Sequence, residues 1–204
     1  MSAAPSILVL AAHPDLRHSR ANRALMQSAR SLANVTVRDL YALYPDHLID
    51  VSAEQALVAQ ADLIVWQHPI HWYSMPPLMK LWLDEVLTLG WAYGHGGSAL
   101  RGKDLWLVAT TGGTQEAYSP QGYNRYFFDA FLPPYEQTAA LCGLRFLPPL
   151  VLHGAHAVSR QAFEAHVEVY RDRLSTYPQW PEMADLDACL LCEVPARDRP
   201  AEEA

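Results

Sequence analysis

The chain predicts an α/β fold, a doubly wound, five-stranded parallel sheet in the order 2-1-3-4-5 with helices on both faces. Three observations lead there. Short continuous apolar runs such as Ser6–Ala12 and Asp62–Gln67 read as strands buried on both faces, as parallel sheets require. These runs alternate with stretches of helical periodicity, the pattern of βαβ crossovers. With five such strands, 2-1-3-4-5 is the natural doubly wound order, and ligand binds beyond the carboxyl ends of strands 1 and 3, where the order reverses.

Ser6–Ala12, closed by His13-Pro14-Asp15, is the first strand. Ser19 then caps a helix that carries Ala21, Leu25, Ala29 and Leu32 on one face. Val35–Leu40 alternates and makes a shorter, more exposed strand. Tyr41–Asp50, with Pro45 and Asp46, is expected to be a loop, and Ser52 to cap a helix through Gln60. The third strand, Asp62–Gln67, runs into an aromatic turn, and Pro76-Pro77 opens the next helix. Positions 78, 79, 82, 83, 86, 87 and 89 of that helix form an apolar arc wider than the roughly 100° stripe of a surface helix. The sheet covers one flank; a second subunit or a bound ligand is expected to cover the other.

Residues 92–102 are a glycine-rich loop, and Asp104–Thr110 is the fourth strand, ending in Thr111-Gly112-Gly113-Thr114. Residues 115–134 are a long aromatic excursion, followed by a helix over Tyr135–Cys142 that Gly143 terminates. Arg145–Leu152 is the fifth strand, and its Pro148-Pro149 suits an edge. Ser159 caps the last helix, to about Ser175. The prolines and acidic residues from Tyr177 onward describe a tail, residues 177–204, that adds little core to a domain of residues 1–176.

With 204 residues, half of them hydrophobic, the chain suits one domain with a sizeable core. A formal charge of -7 argues against nucleic acid or an anionic bilayer as the main partner. No apolar run approaches a membrane span, and Met1-Ser-Ala-Ala-Pro5 does not resemble a secretory leader, so a cytoplasmic location is expected. The odd set Cys142, Cys189 and Cys192 fits a reducing compartment. Cys189 and Cys192 have metal or redox spacing but no second pair, and read as incidental. His95, His153, His156 and His166 share no ligand spacing with carboxylates or cysteines, and no metal is expected.

Three loops would converge at the sheet's carboxyl edge. The first holds Arg17, His18, Ser19, Arg20 and Arg23 around a helix N-terminus, where free N–H groups and the dipole favour a phosphate. In the second, His71, Trp72 and Tyr73 offer flat apolar surface with polar tips, suited to a planar heterocycle. The third, Thr110–Thr114, offers unhindered N–H groups and hydroxyls able to hold an oxyanion or the carbonyl edge of a ring. Together they imply a phosphorylated planar cofactor.

Ala12-His13-Pro14, Ser19-Arg-Ala-Asn22, His68-Pro-Ile-His-Trp-Tyr73, Pro76-Pro-Leu-Met-Lys-Leu-Trp82, Gly90-Trp-Ala-Tyr-Gly94, Thr110-Thr-Gly-Gly113 and Cys142-Gly143 closely resemble the NAD(P)H:quinone oxidoreductase flavoproteins. The nearest branch is that of the ancillary proteins of glutathione-regulated potassium-efflux systems, which Asp39-Leu-Tyr41, Tyr44-Pro-Asp46 and Ile49-Asp50 also resemble. The resemblance implies a flavodoxin-like homodimer that binds FMN, or alternatively FAD, and carries hydride from NAD(P)H to a quinone by two-electron ping-pong transfer. It also implies an alternative role, as a regulatory subunit docked on a potassium-efflux antiporter at the cytoplasmic face of the inner membrane. By resemblance the phosphate side comprises His13, Ser19, Arg20, Ala21 and Asn22; the ring side Pro69, Ile70, His71, Trp72 and Tyr73; and the pyrimidine end Thr111, Gly112, Gly113 and Thr114. Tyr118 corresponds to a tyrosine beside the flavin, and Asn124 stands where quinone reductases of this kind carry a relay histidine. Backbone N–H groups around Gly112 and Gly113, with Tyr118, are the expected catalytic groups.

Overall fold

The computed structural model describes residues 4–184 and Leu186. Its strands are β1 (Ile7–Ala11), β2 (Val35–Asp39), β3 (Leu63–Pro69), β4 (Asp104–Thr110) and β5 (Arg145–Leu152), paired in parallel in the order β2-β1-β3-β4-β5. The helices are α1 (Arg20–Arg30), α2 (Leu40–Leu43), α3 (Val51–Gln60), α4 (Pro77–Val86), α5 (Pro133–Cys142) and α6 (Arg160–Thr176). This is the doubly wound architecture expected.

Strand alternation divides the core in two. Ile7, Val9, Leu63, Val65, Trp106 and Val108 face α1 and α6, where Leu25, Tyr170 and Leu174 meet them. Leu8, Leu10, Ile64, Trp66, Leu105 and Leu107 face α3, α4 and α5. The two clusters share only the sheet between them, so side chains just beyond its carboxyl edge are held from both sides.

Local chemistry moved several boundaries. Residues 41–50 are not all loop: Asp39 accepts from Ala42 N–H at 3.3 Å and starts the short α2. Asp50 rather than Ser52 caps α3, its Oδ1 accepting from Ala53 N–H at 3.0 Å. A carboxylate satisfies the free N–H groups and the dipole together, which favours it over a hydroxyl two residues on. β3 runs two residues further than expected, because Pro69 lies in register with Thr110 and Ile70 N–H donates to Thr110 O at 2.8 Å.

The wide arc of α4 needs no second subunit. The helix ends at Val86 and Leu89 is exposed, while the far flank is covered by this chain's own α2 and α3. Trp82 Nε1 donates to Glu54 at 2.9 Å, Gln55 Nε2 to Val86 O at 2.9 Å, and Leu78 N–H to Tyr41 Oη at 3.4 Å. Glu54, fully buried, also accepts from Tyr44 at 2.6 Å and pairs with Arg38. Its charge therefore has the partners that burial demands. Gly143 ends α5 in the left-handed conformation, φ 72°, that favours glycine.

Tyr177 and Trp180, expected to open a tail outside the core, are buried against the α6 face. Trp180 meets Trp106 edge-on at 5.0 Å, donates from Nε1 to Arg173 O at 2.8 Å, and lies under the Arg173 guanidinium. Cys189 and Cys192 lie outside the described residues. Trp180→Ala should therefore destabilise the protein by about 3 kcal/mol in urea unfolding, as expected for an aromatic lost from a packed site; a loss under about 0.5 kcal/mol would mark this segment as dispensable.

Candidate functional site at the carboxyl edge of the sheet

The loops that follow β1, β3, β4 and β5 enclose a cleft of about 480 Å³. One end of it is built on α1. Ser19 Oγ accepts from Asn22 N–H at 3.2 Å, so its own proton remains free to donate outward. The N–H groups of Arg20 and Ala21, at the first two helical positions, donate to no described residue. The Arg20 guanidinium lies 4.0 Å over the Phe163 ring, which holds a permanent cation at this end. Two N–H groups, a hydroxyl and a guanidinium are donors that can meet an anion here.

His13 stands where β1 opens. Its Nδ1 accepts from Asp15 N–H at 3.1 Å, which leaves Nε2–H as a donor in the neutral ring. Burial, then the neighbouring His71, hold its pKa below the usual histidine value, so the neutral form prevails at pH 7. Arg17 and Arg23, grouped with the anion site on sequence, instead line an adjoining groove of about 570 Å³ with Asp39 and Tyr41. Among the described residues, only His13 and Asp15 border both spaces.

Asn22 lies beneath the floor, 2 % exposed. Its Nδ2 donates to Thr110 Oγ1 at 3.1 Å, its carbonyl accepts from Gln67 Nε2 at 3.0 Å, and Gln67 accepts from Tyr170 at 3.0 Å. This network ties α1, β3, β4 and α6 together under the cleft. Asn22 Oδ1 has no described partner despite burial.

The turn after β4 has one feature that decides its chemistry. Thr111 O accepts from Ala155 N–H at 2.9 Å, and Gly113 O accepts from Gly154 N–H at 2.8 Å and from Thr111 Oγ1 at 2.7 Å. Both carbonyls are drawn toward the loop after β5. In trans peptides the N–H points opposite to the C=O, so the N–H groups of Gly112 and Thr114 are directed away from that loop. Neither they nor Gly113 N–H donate to a described residue. Thr111 N–H, by contrast, is spent on Leu152 O at 3.0 Å. A Cβ on Gly112 would meet only the His156 ring, at 3.8 Å, so glycine here keeps the cleft open.

His13, Ser19, Arg20, Ala21, Pro69, Ile70, His71, Thr111 and Gly112 line this cleft. Trp72 and Tyr73 do not. They are the two central residues of a tight turn, both left-handed at φ 48° and 65°, closed by His71 N–H to Ser74 O at 2.9 Å and Ser74 N–H to His71 O at 3.1 Å. That geometry turns Trp72 out to 93 % exposure and leaves Tyr73 stacked on Phe131 at 5.1 Å. His68, just before them on β3, points into the core against Tyr135, and burial depresses its pKa to about 4. Gly113, Thr114 and Tyr118 continue the wall beyond the cleft. A Cβ on Gly113 would fall 2.7 Å from Tyr123 Oη and 3.3 Å from Tyr118 Cε2. Tyr118 is buried, and Tyr73 Oη donates to Asn124 Oδ1 at 3.3 Å.

Sequence reasoning missed Asp15 as a cleft-lining residue on the first loop, and it missed the whole fourth loop, where Ala155 and His156 line the cleft and His153 lies within hydrogen-bonding distance of Thr111. The signal was available: every strand of a parallel sheet opens on the same edge, so the loop after β5 belongs beside the other three.

A family model described as the flavodoxin-like fold matches residues 5–174. The chain belongs to the flavodoxin-like fold family. It is 47% identical over 173 residues to the glutathione-regulated potassium-efflux system ancillary protein KefF of Citrobacter koseri, covering 85% of this chain and 97% of that one. Among solved structures, one described as a thermophilic tryptophan halogenase from Streptomycin violaceusniger aligns at TM-score 0.79 and 42% identity, over 82% of this chain and 97% of that one. General stress protein 14 of Treponema denticola, in complex with FMN, aligns at TM-score 0.76 and 38% identity, over 84% and 97% of the two chains. An NADPH-quinone reductase from P. pentosaceus aligns at TM-score 0.77 and 29% identity, over 84% and 98%.

The left-handed pair also yields a stability prediction. A tryptophan held left-handed and almost fully exposed is strained by about 1 kcal/mol and buries nothing in return. Trp72→Gly should therefore raise the unfolding free energy of the flavin-free protein by about 0.5–1 kcal/mol; a loss of stability would mean that the indole packs on something in solution.

Proposed function

We propose that the protein is a flavin-dependent NAD(P)H:quinone oxidoreductase, with FMN held in the cleft between α1 and the turn after β4. The single observation that carries this reading is the pairing of an anion site with a set of outward N–H groups across one cleft. Donors at both ends suit a molecule with a phosphate at one end and a ring with a carbonyl edge at the other. The relatives' names differ in reaction, so they supply only the flavin and the acceptor class to this reading.

Ser19, the N–H groups of Arg20 and Ala21, and the Arg20 guanidinium would hold the phosphate. His13, Ile70 and His71 would flank the ring, and the N–H groups of Gly112, Gly113 and Thr114 would meet its pyrimidine edge. A bound flavin supplies the hydride chemistry between nicotinamide and quinone. The turn's N–H groups stabilise negative charge at that edge, and they are directed before any ligand arrives. Tyr118, beside the turn, is the candidate proton donor. Burial, then its tyrosine neighbours, raise its pKa, which keeps the phenol protonated and able to donate to a quinone oxygen. Asn124 offers no titratable proton, so any relay through that position is absent.

The regulatory reading has its own observation, the 47% identity to KefF across 97% of that chain. We propose that both roles coexist, the flavoprotein docking on a potassium-efflux antiporter from the cytoplasm. No helix of the described residues is long and apolar enough to cross a membrane. A homodimer is proposed on new grounds: Tyr123, Tyr126 and Phe127 are large, apolar and exposed together on the excursion after β4.

The direct test is titration of purified protein with FMN and FAD, followed by NADH- and NADPH-dependent quinone reduction. Uptake of FMN with turnover supports the reading, and failure to take up either flavin overturns it. Gly112 lies outside the left-handed region, so Gly112→Val should change stability by less than about 1 kcal/mol. Its isopropyl group would fill the cradle and weaken FMN at least about tenfold; undiminished binding would place the flavin elsewhere. Light scattering should give a dimer, with Tyr126→Ser and Phe127→Ser shifting it toward monomer.

A further inference from the structure

His153 plays no part in the flavin contacts that the resemblance implies, and its spacing offers no metal site. The structure nevertheless places it behind the turn that carries the outward N–H groups. Its Nδ1 lies 3.1 Å from Thr111 Oγ1. Thr111 has one hydroxyl proton, and Gly113 O, at 2.7 Å, takes it. Thr111 Oγ1 must then accept from His153, so the imidazole carries its proton on Nδ1. The result is a directed chain, His153 Nδ1–H to Thr111 Oγ1, then Thr111 Oγ1–H to Gly113 O.

We infer that His153 is a positioning residue for the N–H cradle after β4, acting through Thr111 to fix the orientation of the Gly113–Thr114 peptide. Gly113 O is the pivot. It accepts from Gly154 N–H on the backbone side and from Thr111 on the side-chain side, and together these prevent the peptide from rotating about its flanking bonds. If the peptide turned over, Thr114 N–H would leave the cleft and Gly113 O, an acceptor, would replace it. The His153 ring is itself confined, edge-on to Phe128 at 5.3 Å and tilted on Tyr118 at 5.3 Å. Its position is therefore set by the core rather than by the turn it orients.

The inference rests on the flavin reading above, and deepens it. A donor that faces the pyrimidine edge matters most when that edge is negative, in the reduced flavin. Loosening the donor should thus weaken the reduced form more than the oxidised one and lower the bound flavin's midpoint potential. A merely structural role would weaken both forms alike and leave the potential unchanged.

The test compares wild type with His153→Leu, which removes the donor, and His153→Asn, whose amide Nδ2 reproduces a donor near the Nδ1 position. FMN affinity by fluorescence titration and the two-electron midpoint potential of the FMN-loaded protein are measured for each, with thermal unfolding as a folding control. The expected result for His153→Leu is FMN binding roughly two- to tenfold weaker, the value of one hydrogen bond, and a lower potential, both restored by Asn. A Leu variant that holds FMN at the wild-type potential, or an Asn variant that fails to restore what Leu loses, overturns the inference. If Leu does not fold, Asn against His153→Gln, whose longer chain misplaces the amide, gives the same comparison. Wild-type protein that binds no flavin would instead sink the flavin reading, so the two failures are distinguishable.

Discussion

The carbonyls of Thr111 and Gly113 face the loop after β5, and the rest of the site depends on that orientation. A parallel sheet leaves backbone groups unpaired at its carboxyl edge, where each must find a partner or face a ligand. Here the acceptors are satisfied internally by Gly154, Ala155 and Thr111, and the donors are left over. At α1 the same division arises from helix geometry, since the first N–H groups have no partner within the helix. Two independent consequences of backbone hydrogen bonding thus point donors into one cleft from opposite ends.

What holds the two ends at a fixed separation is the buried network below them. Asn22 belongs to the first turn of α1, Thr110 to the last residue of β4, Gln67 to β3 and Tyr170 to α6. A buried polar network of this kind carries a desolvation penalty that hydrogen bonding must offset, and Asn22 Oδ1 is its one atom without a described partner. Strain follows the same geography. The left-handed Trp72 and Tyr73 occupy the turn after β3, where a hairpin of this shape would ordinarily take asparagine and glycine.

Much of this was legible in the amino-acid sequence because parallel strands leave an unmistakable trace. Ser6–Ala12 and Asp104–Thr110 are uninterrupted apolar runs, Pro76-Pro77 and Gly143 mark a helix start and a helix end, and the topology follows from their alternation. What escaped was decided by tertiary partners. Asp50 against Ser52 as the cap of α3 turns on a local competition between two good residues. The proline-rich context around Tyr177 and Trp180 masked a pair of aromatics that complete the α6 face. Trp72 and Tyr73 were read by composition as a wall, whereas backbone geometry turns the first outward and the second onto Phe131. His153 and His156 were judged by metal-ligand spacing and dismissed, although their place after β5 brings His156 to the cleft and His153 against Thr111 behind the turn.

The central claim is that the two ends of the cleft bind one ligand together. It is tested most directly by the ¹H–¹⁵N spectrum of the protein before and after addition of FMN. The account predicts shifts at both ends in one saturable step: the amides of Arg20 and Ala21 at α1, and those of Gly112, Gly113 and Thr114 after β4. Shifts confined to the groove beyond His13, around Arg17 and Tyr41, or none at the turn after β4, would contradict it.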